Sequence, residues 1–227
     1  MLTPSPFIKI DSLDGNDCVF YLYHASHPIA NELRVTMMDK VPSMAIDVVN
    51  VMKNESVLMD ELIVHRLGLI PLESHQVDNY EFPDQCHCSG QCSKCSAVIY
   101  LQIKSTNINN LSWLRSITCR DLKPSNDHQI KPVKHNVLGK EEGIVIVPLR
   151  NDQTLDFECF ATKGYGSQHA KWSPVSKVVY WPDDQDKSDN PRFYFSIETI
   201  GSLTVLELLK SACKILATKS INISIRE

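Results

Sequence analysis

Apolar positions along this chain occur in short runs whose period changes from segment to segment. Phe7, Ile8 and Ile10 are followed by the turn residues Asp14-Gly15-Asn16 and by the aromatic-rich stretch Cys18 to Tyr23, which predicts a β-hairpin. Pro28 suits the first turn of a helix, and Ile29, Leu33 and Met37 then repeat every four residues, so a helix is expected over 28–40. Pro42 ends it. Ala45, Ile46, Val48, Val49 and Val51 predict a mostly buried strand, and a second helix is expected from about Ser56 to a C-terminal cap at Gly68, stopped by Pro71. Residues 83–96 have turn chemistry and no helical period, and the alternation of Val98 to Ile103 predicts that this loop feeds a strand.

Beyond it, 121–143 is polar and reads as a long surface connection. Ile144 to Leu149 and Leu155 to Thr162, separated by Asn151-Asp152-Gln153, suggest a second hairpin. Asp183 to Asn190 is a charged linker, Arg192 to Thr199 is strand-like, and the last helix runs from Leu203 to about Thr218. Glu207, Lys210, Ser211, Lys214 and Thr218 form a narrow polar stripe on that helix. The remaining surface carries Leu203, Val205, Leu206, Leu208, Leu209, Ala212, Cys213, Ile215 and Leu216, wider than the roughly 100° arc that packing on one domain requires. Either its own chain buries this helix from several sides, or a partner covers the surplus.

With 227 residues, 43% of them hydrophobic and 22% charged, the chain has the composition of a globular protein of one large or two modest domains. No apolar run approaches the roughly 18 residues of a membrane span, and the N-terminus lacks the pattern of a secretory signal. A cytosolic or nuclear protein is expected. The 23 basic and 27 acidic residues leave a net charge of −4 with no basic run, which argues against direct grip on nucleic acid.

Of the eight cysteines, Cys18, Cys119, Cys159 and Cys213 stand alone, whereas Cys86, Cys88, Cys92 and Cys95 share one loop. The spacing Cys-x-Cys-x3-Cys-x2-Cys makes two close pairs joined by a hinge at Ser89-Gly90, which lets four thiolates converge on one tetrahedral ion. Soft sulfur donors suit zinc, with an iron–sulfur cluster as the second choice, and a shell closed by four cysteines points to a structural role. His87, between the first two cysteines, could replace one of them, but with four cysteines at hand it reads as a bystander. Phosphate-loop, nucleophile-elbow and zinc-protease motifs are absent. Glu61 and His65, four apart on a helix, have the spacing of an acid–base pair but also that of an ordinary helix-surface pair. Likewise His169-Ala170-Lys171-Trp172 reads as a polar site or as a loop anchored by its tryptophan.

Val41-Pro42-Ser43-Met44-Ala45-Ile46-Asp47 and Asp60-Glu61-Leu62-Ile63-Val64-His65-Arg66-Leu67-Gly68-Leu69-Ile70-Pro71-Leu72 closely resemble the signature region of the α-like third-largest subunit of eukaryotic RNA polymerase II. The cysteine loop, Cys119-Arg120-Asp121-Leu122 and Gln168-His169-Ala170-Lys171-Trp172-Ser173-Pro174 follow in the same order, so the resemblance runs from about residue 7 to 218. It departs at Leu33-Arg34-Val35, where the family usually shows an arginine pair, and the end at Glu227 implies a trimmed last helix without a long acidic tail. The corresponding subunit of polymerases I and III is expected to lack the cysteine loop, so the four cysteines point to polymerase II.

What the resemblance implies is an α+β fold with a discontinuous α-like dimerisation domain, residues 1–41 plus 190–227, and an inserted β-rich domain, 42–189, carrying a zinc loop at 84–96. It implies a non-catalytic nuclear subunit in mRNA transcription, with one structural zinc on Cys86, Cys88, Cys92 and Cys95. It also implies pairing with a smaller α-like subunit, the pair serving as the platform for the second-largest catalytic subunit within the polymerase. The expected seam takes Ile29, Leu33 and Met37 from the first helix and Leu206, Leu209, Cys213 and Leu216 from the last. The rival reading is a free-standing zinc-dependent protein that binds a peptide or nucleic acid.

Overall fold

Gly15 closes the first turn with a φ of +57°, in the left-handed region that a side chain would strain. It joins β1 (Phe7–Asp14) to β2 (Asp17–Tyr23) in the expected hairpin, with Ile8 opposite Leu22 and Asp14 opposite Asp17. The computed structural model describes residues 5–88, 91–105, 114–125, 130–137, 140–183, 192–219 and 221–226. In chain order the further elements are α1 (His27–Val35), β3 (Pro42–Asn54), α2 (Asp60–Gly68), β4 (Ser96–Lys104), β5 (Leu114–Thr118), β6 (Lys123–Pro124), β7 (His135–Val137) and β8 (Lys140–Glu142). Then come β9 (Val145–Arg150), β10 (Thr154–Tyr165), β11 (Val175–Pro182), β12 (Phe193–Thr199), α3 (Val205–Thr218) and β13 (Ser224–Arg226). The fold is α+β and rich in strands, and no described helix is long and apolar enough to cross a membrane.

Two compact units result, Met1–Ser43 with Tyr165–Glu227, and Met44–Gly164. The first holds a sheet of order β11-β12-β2-β1-β13, in which β12 pairs antiparallel with β2 and β13 parallel with β1. Alternation along β2 and β12 sends Phe20, Leu22, Phe193, Phe195 and Ile197 to one face, where they pack with Ala30 and Leu33 of α1 and Val205, Leu208, Leu209, Ala212 and Leu216 of α3. Phe20 and Phe195 stack with ring centroids 4.8 Å apart. A capping box begins α3, Thr204 N–H donating to Glu207 Oε2 at 2.9 Å and Glu207 N–H to Thr204 Oγ1 at 3.3 Å. Because β11 pairs with β12 from Val175↔Thr199 to Pro182↔Phe193, this unit resumes at Tyr165, well before residue 190. The pairing of β11 with its chain neighbour β12, which in turn pairs with the distant β2, sets that boundary, and composition does not register it. Residues 184–190 of the expected linker lie outside the described residues.

The second unit is built around a sheet of order β3-β10-β4-β6, with β5 and β9 in a separate pair. Ile99, Leu101, Leu155 and Phe157 lie at the centre of its core with Ile63 and Leu67 of α2. The expected hairpin of β9 with β10 does not form: their tight turn is present, with Asp152 at φ 64°, but β9 pairs with β5 while β10 pairs with β4. Helix α2 starts later than expected because Asn54 and Ser56 hold a turn first, Asn54 Nδ2 donating to Leu58 O and Asp60 Oδ1, and Ser56 N–H to Asn54 Oδ1. At its other end Gly68 is the last helical residue and not a left-handed cap; Leu69 closes the helix at φ −89°. Part of the polar 121–143 segment forms the short strands β6, β7 and β8, and the rest of it includes residues outside the described ones.

The helix expected over 28–40 is α1 extended by a wider turn over Thr36–Lys40, in which Val41 N–H reaches back five residues to Thr36 O at 3.1 Å. Gly166 lies against this turn. A Cβ there would overlap the Met38 carbonyl oxygen, and Ser167 N–H donates to Asp39 O at 3.2 Å. Gly166→Ala is therefore expected to lower stability by about 1–3 kcal/mol in denaturant unfolding, while Ser167→Ala stays within about 0.5 kcal/mol. Glu32 of α1 binds both Lys40 at 2.7 Å and Lys219, just past α3, at 2.8 Å. The hydrogen bonds from Lys219 and Lys40 hold the Glu32 carboxyl below its usual range. Its contribution is present above the unfolded carboxylate pKa and is lost as pH falls through the lowered one. Glu32→Gln should thus unfold slightly earlier in urea at pH 7, with a difference that shrinks in high salt and in acid.

Candidate metal centre

Two short turns present the four clustered cysteines. In the first, the N–H groups of Gln85 and Cys86 both donate to Phe82 O at 3.0 Å. In the second, Cys95 and Ser96 N–H donate to Cys92 O at 3.1 and 2.9 Å, and Ser96 Oγ donates to the same carbonyl at 3.1 Å. Glu81 N–H to Lys94 O, 2.9 Å, ties the two stems together. Ser96 opens β4 and pairs with Thr162 of β10, so the second turn is continuous with the sheet, as the alternation after the loop implied.

The turns bring Cys86 Sγ to 3.6 Å from Cys92, Cys88 to 3.5 Å from Cys95, and Cys92 to 3.7 Å from Cys95, all four sulfurs lying within 4.8 Å of one another. Four thiolates at about 2.3 Å from one zinc would stand about 3.8 Å apart, so the donors present fit a single tetrahedral ion. A multi-iron cluster spreads its cysteines over several metals and needs a wider set. Cys95 is buried and the other three are half-buried, which leaves the centre at the surface of its unit. The Cys88 N–H lowers the Cys86 thiol pKa, but hydrogen bonding with the Cys88 and Cys92 sulfurs outweighs it and pushes the thiol up to about 12, while burial raises Cys95. Four sulfurs this close resist ionising together unless a cation neutralises them, and a divalent metal would be such a cation. The Ser89-Gly90 hinge lies outside the described residues, and His87 is exposed and not among the clustered donors.

The solitary cysteines differ in kind. Cys18, Cys119 and Cys159 are buried and Cys213 half-buried; desolvation pushes Cys18 and Cys213 to about 11 and Cys159 to about 12, so all three remain thiols. Glu61 and His65 are both exposed on α2. Trp172 is buried, its carbonyl accepts from Ser43 Oγ at 2.6 Å and Lys171 lies 4.3 Å over its ring, which makes 169–172 a tryptophan-anchored loop.

The seven expected seam residues divide in two. Leu33, Met37, Leu209 and Leu216 are completely buried in the core of their own unit, because α1, the wider turn that follows it and α3 turn these positions into the core built on the aromatic face of the sheet. A side chain without surface cannot meet another chain while its unit stays folded. Ile29 and Cys213 are half-buried, and Leu206 is 40% exposed. Sequence reasoning missed the exposed Val57 and Met59 ahead of α2 and Leu69 beyond it, and the stem residues Phe82 and Lys94. None of these carries a periodic signal.

Residues 45–177, more than half of the chain, match the family model described as RNA polymerase Rpb3/RpoA insert domain. The chain belongs to the Rpb3/RpoA family. It is 30% identical to DNA-directed RNA polymerase II subunit RPB3 of Schizosaccharomyces pombe over an alignment covering 93% of this chain and 84% of that protein. It is 39% identical to DNA-directed RNA polymerase II subunit rpb3 of Dictyostelium discoideum, with 79% of this chain and 58% of that protein aligned. With subunit 3 of DNA-directed RNA polymerases II, IV and V of Arabidopsis thaliana the identity is 40%, over 78% of this chain and 58% of that protein. The chain thus spans somewhat more than half the length of two of these Rpb3 relatives and most of the third. The resemblance seen in the His65–Leu72 region is borne out.

A tetrahedral centre predicts one divalent ion per chain in elemental analysis, and intense tetrahedral cobalt bands on substitution. Cys92→Ser should reduce retained metal and open 84–96 to proteolysis, while the cores of both units remain folded by near-ultraviolet circular dichroism.

Proposed function

We propose that this chain is a non-catalytic structural subunit of DNA-directed RNA polymerase II, acting in the nucleus in mRNA transcription. The observation that carries this reading is the alignment of nearly the whole chain with a polymerase II subunit, joined to a four-cysteine loop of single-ion geometry. In this reading one zinc ion supplies a fixed cross-link between the two cysteine turns and takes no part in chemistry. Its four thiolates leave no position for water, which supports a structural over a catalytic role. A free-standing zinc-dependent binding protein draws no support from the named relatives.

The first unit serves as the dimerisation domain and pairs with a smaller α-like subunit, and the pair is the platform for the second-largest subunit. Leu206 on α3, with Ile29 and Cys213 beside the core, carries the pairing surface. Leu33, Met37, Leu209 and Leu216 hold the two helices in place from below. Large apolar side chains left in water, Leu206 with Val57, Met59, Leu62 and Leu69, are consistent with a chain that works inside an assembly.

Co-expression with the smaller α-like subunit of the same polymerase, followed by affinity pull-down, tests this reading. Leu206→Asp should abolish pairing and leave the fold intact, because an unpaired charge in a seam costs several kcal/mol. Lys210→Asp should pair normally. Leu209→Asp should unfold the first unit itself, which circular dichroism separates from a pairing defect. Normal pairing of Leu206→Asp would place the seam elsewhere, and failure of the unaltered chain to pair would remove the α-like assignment.

A further inference from the structure

Strand β10 carries a lysine in an unusual setting. The Lys163 side chain is only 10% exposed, and its ammonium donates to Tyr80 O at 3.1 Å and lies 4.9 Å from the centre of the Phe82 ring. Asp78 Oδ1 lies 4.0 Å from it on a largely exposed side chain. Withdrawing an ammonium from water is unfavourable, and the carbonyl and the aromatic face contribute to offsetting it. Both belong to the segment that leads into the cysteine loop. Tyr80 is fastened in the core of the unit, and Phe82 O is the acceptor that closes the turn carrying Cys86.

The exit from the loop is fastened to the same strand. Ser96, which closes the Cys92–Cys95 turn, pairs with Thr162, the neighbour of Lys163. We propose that Lys163 is a positioning residue for the four-cysteine centre, clamping the entry stem to the strand that already holds the exit stem, so that Cys86 and Cys88 are held against Cys92 and Cys95. This rests on the metal-centre reading. Because the lysine acts on the stems and not as a ligand, losing it leaves the donor set complete but less well organised. Metal escape should accelerate while the ligand chemistry stays the same. Outer residues that orient metal ligands typically matter by roughly 10- to 100-fold in metal retention.

The test uses the full chain loaded with zinc, or with cobalt for its tetrahedral thiolate spectrum, and follows metal transfer to excess chelator. Lys163→Met, which keeps the apolar stem without the charge, should release metal roughly 10- to 100-fold faster with an unchanged cobalt spectrum. Lys163→Arg, which retains a cation and donors for Tyr80 O and the ring, should stay close to the unaltered protein. Release from Lys163→Met at the original rate overturns the proposal, as does equal acceleration in both variants, which would assign the effect to packing alone. If Lys163→Met does not fold, Phe82→Leu is the second probe: faster release supports the clamp and unchanged release overturns it. Failure of the unaltered chain to take up either metal would remove the metal-centre reading beneath the proposal, an outcome distinct from any effect of the variants.

Discussion

Strand β12 must find β2, and the first unit depends on that pairing. The two strands come from opposite ends of the chain, and only their union completes the aromatic face on which α1 and α3 rest. Phe20 against Phe195 lies at its middle, and the Glu32–Lys219 contact, 187 residues apart in sequence, ties the two helices at their edge. Joining distant segments carries a loop-closure cost that grows only with the logarithm of the intervening length. A folded unit such as 44–164, with its own core, can therefore occupy the interval without undoing the pairing.

That second unit has a different problem at 84–96. Its sheet closes a core of Ile99, Leu101, Leu155 and Phe157, but the loop ahead of β4 contributes little apolar surface of its own. Two hydrogen-bonded turns and a tie between their stems bring four sulfurs to tetrahedral spacing. Four thiols held this closely favour the protonated state, and one divalent ion bound among them would relieve the crowding by neutralising the thiolates. In the proposed reading, metal binding there would stand in for the hydrophobic burial that so polar a segment lacks.

Helix α3 divides its apolar surface unequally. Most of its wide apolar surface is spent inside its own unit, and a small remainder, Leu206 above all, faces water. In the proposed pairing, a helix held this firmly would present its outward residues on a rigid support, which lowers the entropy lost on association.

Local chemistry made much of this legible in advance. The glycine turn of the first hairpin, the four-residue repeat of α1, the limits of α3 and the spacing of the four cysteines are near-neighbour effects, in which the residues that decide an element are also the residues in it. The family motif was legible for a similar reason, as an uninterrupted run at 60–72. Tertiary structure alone decided which strands pair: β9 and β10 have the turn of a hairpin yet join different sheets, and β11 belongs with β12 and not with the unit before it. It alone decided that Leu33, Met37, Leu209 and Leu216 face inward, since helical periodicity shows that a face is apolar and not what covers it. The stems of the cysteine loop were hidden in the same way. Lys163 lies far along the chain from Tyr80 and Phe82, and no local pattern encodes a contact that exists only once β10 has been laid beside β4.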